Sequence, residues 1–354
     1  MDKYLVLGLM SGTSLDGLDI AACEYTYDDK WHFKILHSTT IPYSPFWKNQ
    51  LTTAYHTEPA NISKIDEEFG IYLGTEAKKF IDQTSLNIEL IASHGHTIYH
   101  KPNEGITKQI GSGKQIKNIT GIPTISNFRE QDILLGGQGA PLVPIGDELL
   151  FKEYDFVLNL GGFSNISWNK NGVRKACDLS PCNILFNTIC SRINIEYDES
   201  GKLARQGILI PELYDRWNQF DFFKQSEPKS LGREWFEENY LQDIQSPKYK
   251  VNDLLATASA HIADQISIFI INKQSTAFRL LCTGGGSFNK NLIKKIRALA
   301  PLDSQLILPE PSLIHHKEAL IFGFLGLLRS LNKINILASV TGALKDHCSG
   351  DIYS

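Results

Sequence analysis

Three glycine-bearing turns follow short apolar runs in this 354-residue chain: Gly12 to Gly17, Gly161-Gly162, and Gly284 to Gly286. Glycine lets a backbone approach a phosphate closely, and successive N–H groups in a turn make an anion nest. The competing reading is an ordinary tight turn, for which glycine is the default residue. None of the three reads GxxxxGKS/T or completes GxGxxG, so the P-loop and dinucleotide fingerprints are absent. The first turn is the richest. Gly12, Thr13 and Ser14 bring amides and hydroxyls suited to phosphate oxygens. Asp16 and Asp19 bring carboxylates suited to a magnesium ion, directly or through water. Against this stands an Asp-Gly hairpin turn capped by Asp16. Asp178 falls at an expected strand end, ahead of a helix starting at Pro181 whose N-terminus favours an anion. Asp178 or Ser180 could equally cap that helix. His94 and His96 flank Gly95 at another expected strand end, where substrate hydrogen bonding or a structural role is favoured over a metal pair. His315-His316 reads as helix-end polarity. Cys182 has no base partner at close spacing and reads as a small buried thiol.

The elements that must position these groups repeat. Tyr4–Leu9, Asp19–Tyr27 and Trp31–Ile41 read as a strand meander, followed by helices over Pro45–His56 and Ile62–Gln83 and a strand Leu90–Ser93. The second half restarts with strands Phe156–Leu160, Asn165–Trp168 and Val173–Cys177, the last two joined by an Asn171-Gly172 hairpin turn. Helices over Pro181–Ile193, Gly232–Leu241 and Val251–Asn272, a strand Ala277–Cys282, and helices Asn289–Leu299 and Lys317–Leu331 complete it. The pattern is compatible with two copies of one α/β unit facing each other across a cleft. The expected lobes are 1–150, open to completion by 332–354, and 151–331.

Composition narrows the class. Hydrophobic residues make up 42% and charged residues 21%, which excludes wholesale disorder. With 35 basic and 39 acidic residues and no long basic run, no nucleic-acid partner is expected. The apolar runs at the N-terminus and over Ala319–Leu328 are too short to span a bilayer, so no membrane partner is expected either. Six cysteines without a CxxC pair read as reduced thiols of a cytoplasmic protein.

Longer stretches carry a family resemblance. The segment from Gly8 to Asp19 resembles the N-terminal signature of the anhydro-N-acetylmuramic acid kinases. Ser93 to His100 resembles their SHGQTxxH segment, and Gln109-Ile110-Gly111 and Phe128 to Asp132 their QIG and FRxxD elements. Gly136 to Pro144 and Asn159 to Ile166 are near-verbatim matches. Pro228 to Glu234, Gly284 to Asn289 and Thr341-Gly342-Ala343 continue the series in order, covering essentially the whole chain.

The resemblance implies an α/β fold of two ribonuclease-H-like (actin-like ATPase) domains flanking an ATP cleft. It implies phosphate loops at Gly12, Thr13, Ser14, Leu15, Asp16, Gly17, Leu18 and Asp19 and at Gly161 and Gly162. An adenosine loop would lie at Gly284, Gly285 and Gly286, with Asn289. The implied reaction opens the 1,6-anhydro ring of anhydro-N-acetylmuramic acid with water and transfers the ATP γ-phosphate to O6, giving N-acetylmuramic acid 6-phosphate in cell-wall recycling. Mg²⁺ and ATP are the implied cofactors, the partner is a small-molecule sugar, and a homodimer is the default assembly.

Residue by residue, Asp178 matches the family's base within Asp178-Leu179-Ser180-Pro181-Cys182-Asn183, against a DTGPxN-like pattern. Arg129 matches a substrate-side arginine suited to the lactyl carboxylate; the competing reading is a surface pair with Asp132. His94, Asn183 and Glu318 are the further substrate candidates, Glu318 as a hydroxyl acceptor or else an exposed helical carboxylate. Gln138 is either a contact or loop scaffolding, and Lys229 to Glu234 reads as a cleft-edge loop. The departures at Leu179, Ser180, Cys182 and Asn187 motivate an alternative, a related kinase for another sugar such as levoglucosan. An ATP-driven switch of the chaperone or actin kind would need an added peptide-binding domain or a polymer surface.

Overall fold

A computed structural model describes residues 2–54 and 59–354. The chain forms two compact units: residues through Phe151 together with His316–Ser354, and Lys152–His315.

In unit 1, β1 (Asp2–Ser11), β2 (Gly17–Tyr27) and β3 (Trp31–Pro42) form an antiparallel meander. β4 (Leu90–Lys101) lies parallel to β1, β5 (Ile106–Ile110) turns back on β4, and β6 (Thr124–Ser126) lies parallel to β4. In unit 2, β7 (Phe156–Leu160), β8 (Phe163–Lys170) and β9 (Val173–Pro181) repeat the meander. β10 (Arg279–Thr283) and β11 (Gln305–Ile307) add parallel strands beside β7. β12 (Asp351–Tyr353) closes the far edge of the first sheet on β6. The sheet orders are β12-β6-β4-β1-β2-β3 and β11-β10-β7-β8-β9. The central strands explain their sequence. Val6 to Ser11 are all buried, as in a strand covered on both faces, whereas edge strand β3 is mostly half-exposed.

Several boundaries differ from the sequence reading. β4 runs on past His94–His96 to Lys101 because β5 pairs with it. β9 runs to Pro181 because Asp178, Ser180 and Pro181 pair with β8, so the next helix starts at Asn183. The first helix spans Pro45–Thr53, its N-terminus capped by the Ser44 hydroxyl accepting from Trp47 N–H; the expected end at 55–56 lies outside the described residues. The helix Val251–Lys273 is long and apolar enough to cross a membrane by length and composition, and it is mostly buried, in the core of unit 2.

The largest difference concerns the helix Pro311–Ser330. Its residues from His316 onward belong to unit 1, not to the second lobe where the sequence placed them. Small residues explain this docking. A Cβ on Gly8 would lie 1.9 Å from the Ala319 carbonyl oxygen, and one on Gly326 would lie 2.5 Å from Ala92 Cβ. The helix therefore rests almost backbone-to-backbone on β1 and β4. Gly8→Ala is expected to cost about 3 kcal/mol through overpacking. A urea unfolding midpoint unchanged from wild type would remove this contact as the docking constraint.

Candidate active site

Unit 1 gathers polar groups at the end of β1 and along β4. The β1–β2 turn closes through Leu15 N–H donating to Gly12 C=O at 3.3 Å, with Leu15 at φ 61°. Asp16 is not the cap: its carboxylate is exposed and has no hydrogen-bond partner among the described residues. Thr13 and Ser14 are exposed beside it, while Leu18 is wholly buried and presents only backbone. A Cβ on Gly17 would lie 2.5 Å from Ile41 O, so this residue has to be glycine for β2 to meet β3. Asp19 Oδ1 accepts from Thr40 Oγ1 at 2.5 Å, and the same hydroxyl lies 3.2 Å from His316 Nε2. No group of three metal-ligating side chains occurs among the described residues. Magnesium takes one or two carboxylates and fills its shell with phosphate oxygens and water, so Asp16 and Asp19 suit it by donor chemistry.

Arg129 is held on three sides. Its Nε and Nη2 donate to His94 Nε2 at 3.1 and 2.8 Å, and its Nη1 donates to Gly139 O at 2.6 Å. Burial pulls its pKa down to about 10, against the opposing pull of Glu318 and Asp132, so it remains a cation at neutral pH. His94 thus accepts through Nε2, and its Nδ1 donates to Gly95 O at 2.9 Å. Both ring nitrogens are spent on the protein, and burial together with the Arg129 charge holds the imidazole well below its usual range, neutral. His94 positions Arg129 and keeps no ring nitrogen for a substrate.

The surface pair of Arg129 with Asp132 does not form. Asp132 is fully buried and accepts from Gly139 N–H and Thr341 Oγ1, each at 2.7 Å. It fixes the loop whose carbonyl holds Arg129. Gln138 in that loop is exposed, its N–H donating to Thr341 O. Glu318 is not an exposed helical carboxylate either. It is partly buried, and burial raises its pKa while Arg129 and Lys317 pull it back and Asp19 adds to the rise. Asp147 and Lys317 form an ion pair of 2.7 Å, with side chains 5% and 6% exposed.

Unit 2 brings its glycine turns and Asn183 together. Asn183 Nδ2 donates to Leu160 O, and the N–H groups of Asn183 and Cys182 donate to the Gly161 and Gly162 carbonyls. Those carbonyls are spent, while the Gly161 and Gly162 N–H groups donate to no described residue. Gly284, at φ 80°, and Gly286 lie against Leu160, where a Cβ on either would come within 2.8 Å of that residue. Asn289 caps the helix Lys290–Leu299, its Oδ1 accepting from Leu292 N–H at 3.1 Å.

Asp178 lies on β9, and neither it nor Ser180 caps the following helix. Its backbone N–H donates to Lys229 O, and its Oδ2 accepts from Leu231 N–H at 2.8 Å. The Lys229–Leu231 segment therefore clamps this carboxylate. Burial, only partly offset by the Leu231 hydrogen bond, pushes its pKa up to about 6, close to neutrality as a general base requires. Ser180 Oγ is 2.8 Å from Ser164 Oγ. Cys182 is fully buried and its pKa is pushed up to about 12, a thiol rather than a thiolate. All six cysteines are unpaired. His315 stacks on Phe288 at 4.8 Å in unit 2, whereas His316 is buried in unit 1.

Sequence reasoning missed Ser11, Tyr43, Thr40 and the Asp147–Lys317 pair. Lys317 carried one signal, a cation placed immediately before an apolar helical run, and Ser11 another, its place inside the Gly8–Asp19 segment.

Two sheets, each an antiparallel meander joined to parallel strands on the same side, define the duplicated ribonuclease-H-like class to which sugar kinases and actin-like ATPases belong. The chain belongs to the anhydro-N-acetylmuramic acid kinase family, whose model matches residues 4–354. It is 35% identical to the anhydro-N-acetylmuramic acid kinase of Crocosphaera subtropica and 31% identical to that of Legionella pneumophila. These alignments cover 98% and 99% of this chain and 98% of each relative. Among solved structures, component A of (R)-2-hydroxyglutaryl-CoA dehydratase from Acidaminococcus fermentans aligns over 93% of this chain and 99% of its own, at 11% identity and a TM-score of 0.47.

Proposed function

We propose that this protein is an ATP-dependent kinase that opens the 1,6-anhydro ring of anhydro-N-acetylmuramic acid with water and phosphorylates O6. The observation that carries this reading is the family match over nearly the entire chain. The atoms balance as follows. Water oxygen bonds to C1 and its proton passes to the Asp178 carboxylate. The C1–O6 bond breaks, O6 takes the γ-phosphoryl group, and ADP leaves with N-acetylmuramic acid 6-phosphate. Asp178 suits the base role because its raised pKa leaves it ionised yet basic near pH 7.

Arg129 would bind the lactyl carboxylate through guanidinium edges held in place by His94 and Gly139. Glu318 would accept from a sugar hydroxyl, with Asn183 a further contact. The turn Gly12–Asp19 and the unspent N–H groups of Gly161 and Gly162 would cradle phosphates, and Gly284–Gly286 would take the adenosine. Asn289 serves that loop as a helix cap. Asp16 and Asp19 would hold magnesium, which when bound neutralises phosphate charge. We place the reaction in the cytoplasm, within cell-wall recycling, and take the protein to be a homodimer.

The alternative sugar kinase draws little support from the altered stretch. Leu179 and Cys182 are core residues of unit 2, Ser180 is spent on Ser164, and Asn187 is exposed on its helix. The test is coupled ADP release with ATP, Mg²⁺ and the anhydro sugar, with mass spectrometry of the product. A product heavier by water and phosphate supports the reading; turnover on levoglucosan alone would transfer it to the alternative. Arg129→Ala is expected to lower kcat/KM for the sugar roughly 10- to 100-fold, the worth of a charged hydrogen bond. ATP affinity should hold. An unchanged sugar kcat/KM would take Arg129 out of the sugar site.

A further inference from the structure

Three buried side chains, at the end of β1, just past β3 and within β4, form a directional hydrogen-bond chain that finishes on an unspent donor. Tyr43 Oη donates to Ser11 Oγ at 2.6 Å, and Ser11 Oγ lies 2.9 Å from His96 Nδ1. The three residues are 4%, 1% and 3% exposed. The order of donation follows from counting protons. Tyr43 spends its single O–H on Ser11. The Ser11 proton then has one acceptor among the described residues, His96 Nδ1, and a buried hydroxyl proton left without an acceptor is costly. His96 is therefore fixed as the Nε2–H tautomer.

No described residue accepts from His96 Nε2. His94 makes the contrast, because both of its nitrogens serve Gly95 and Arg129. Burial also pulls the His96 pKa down to about 4, so the ring stays neutral where the enzyme would work. A neutral N–H donates to a hydroxyl or carbonyl oxygen without bringing a net charge into the site, and Arg129 is the cation already placed for a carboxylate.

We infer that His96 donates its Nε2–H to an uncharged oxygen of the bound sugar, a hydroxyl or the acetamido carbonyl, and that Tyr43 and Ser11 position it by setting its tautomer. This rests on the sugar-kinase reading above. Of the two histidines, His96 touches the substrate and His94 holds Arg129.

The test pairs steady-state kinetics on anhydro-N-acetylmuramic acid with long-range ¹H–¹⁵N spectra of the full chain. In the wild type, His96 should show the Nε2–H tautomer, and its Nε2 signal should move on adding the sugar. His96→Phe should raise the sugar KM roughly tenfold, the loss of one neutral hydrogen bond, with ATP affinity unchanged. His96→Gln should restore much of the affinity, since its amide keeps an N–H donor. Tyr43→Phe should mix the two tautomers and raise the sugar KM by a smaller factor while the protein still unfolds cooperatively. An Nδ1–H tautomer in the wild type, or an unchanged sugar KM in folded His96→Phe, sinks this inference and leaves the kinase reading standing. A wild type that turns over no anhydro sugar sinks both.

Discussion

Asp178→Asn is expected to lower kcat roughly a thousandfold while making the protein more stable at neutral pH. The two effects share one cause. Burial raises the carboxyl to about pKa 6, which supplies a base near neutrality but penalises the ion. In the unfolded chain an aspartate titrates near 4. Between about pH 4 and pH 6 the folded state therefore holds more protons than the unfolded state. Stability falls as pH rises through that window, and above it the ionised group costs roughly 3 kcal/mol. Asparagine keeps an oxygen to accept from Leu231 N–H but carries neither the charge nor the basicity. Wild-type kcat/KM should rise with pH up to about 6 and then level. Denaturant titrations at pH 5 and pH 7.5 should show the variant's advantage growing at the higher pH. Turnover close to wild type would remove Asp178 from the base role. An unchanged stability difference across the two pH values would mean that its carboxylate is hydrated in the folded state.

Lys317→Ala should destabilise unit 1 by roughly 3–5 kcal/mol, since it takes the ammonium away from the buried Asp147 carboxylate. The double variant Asp147→Leu with Lys317→Met removes both charges together. It should recover most of the loss, because two apolar side chains need no mutual solvation. Chemical denaturation of all three proteins checks this. A single variant as stable as wild type would show that water reaches the pair. The ammonium also lowers the pKa of neighbouring Glu318, so the double variant should hold that carboxyl protonated to higher pH. The expected readout is an acid limb of sugar turnover displaced upward from wild type, in a protein of near-normal stability.

The local elements around these residues were legible because their signals are local. Continuous apolar runs mark central strands, and the Asn171-Gly172 pair marks a hairpin. The duplicated strand meander was readable for the same reason, as was the family signature. Partner choice was not readable. A helix cap was the alternative reading of Asp178, yet continued pairing of β9 with β8 moves the helix start to Asn183 and leaves the carboxylate to Leu231. A surface pair of Arg129 with Asp132 was the competing reading of that cation, yet Asp132 is buried on Gly139 and Thr341.

By itself the sequence determined the class of each half, the three glycine turns, and the identity of the acid, base and cation groups available for chemistry. Only the tertiary structure decided which histidine nitrogen is spent, which carboxylate is desolvated, and to which unit the helix beyond His316 belongs. The reason is physical. Backbone preference acts over a few residues, whereas a pKa or a tautomer depends on groups brought into contact from far along the chain, as Ser11 and His96 are by the pairing of β1 with β4.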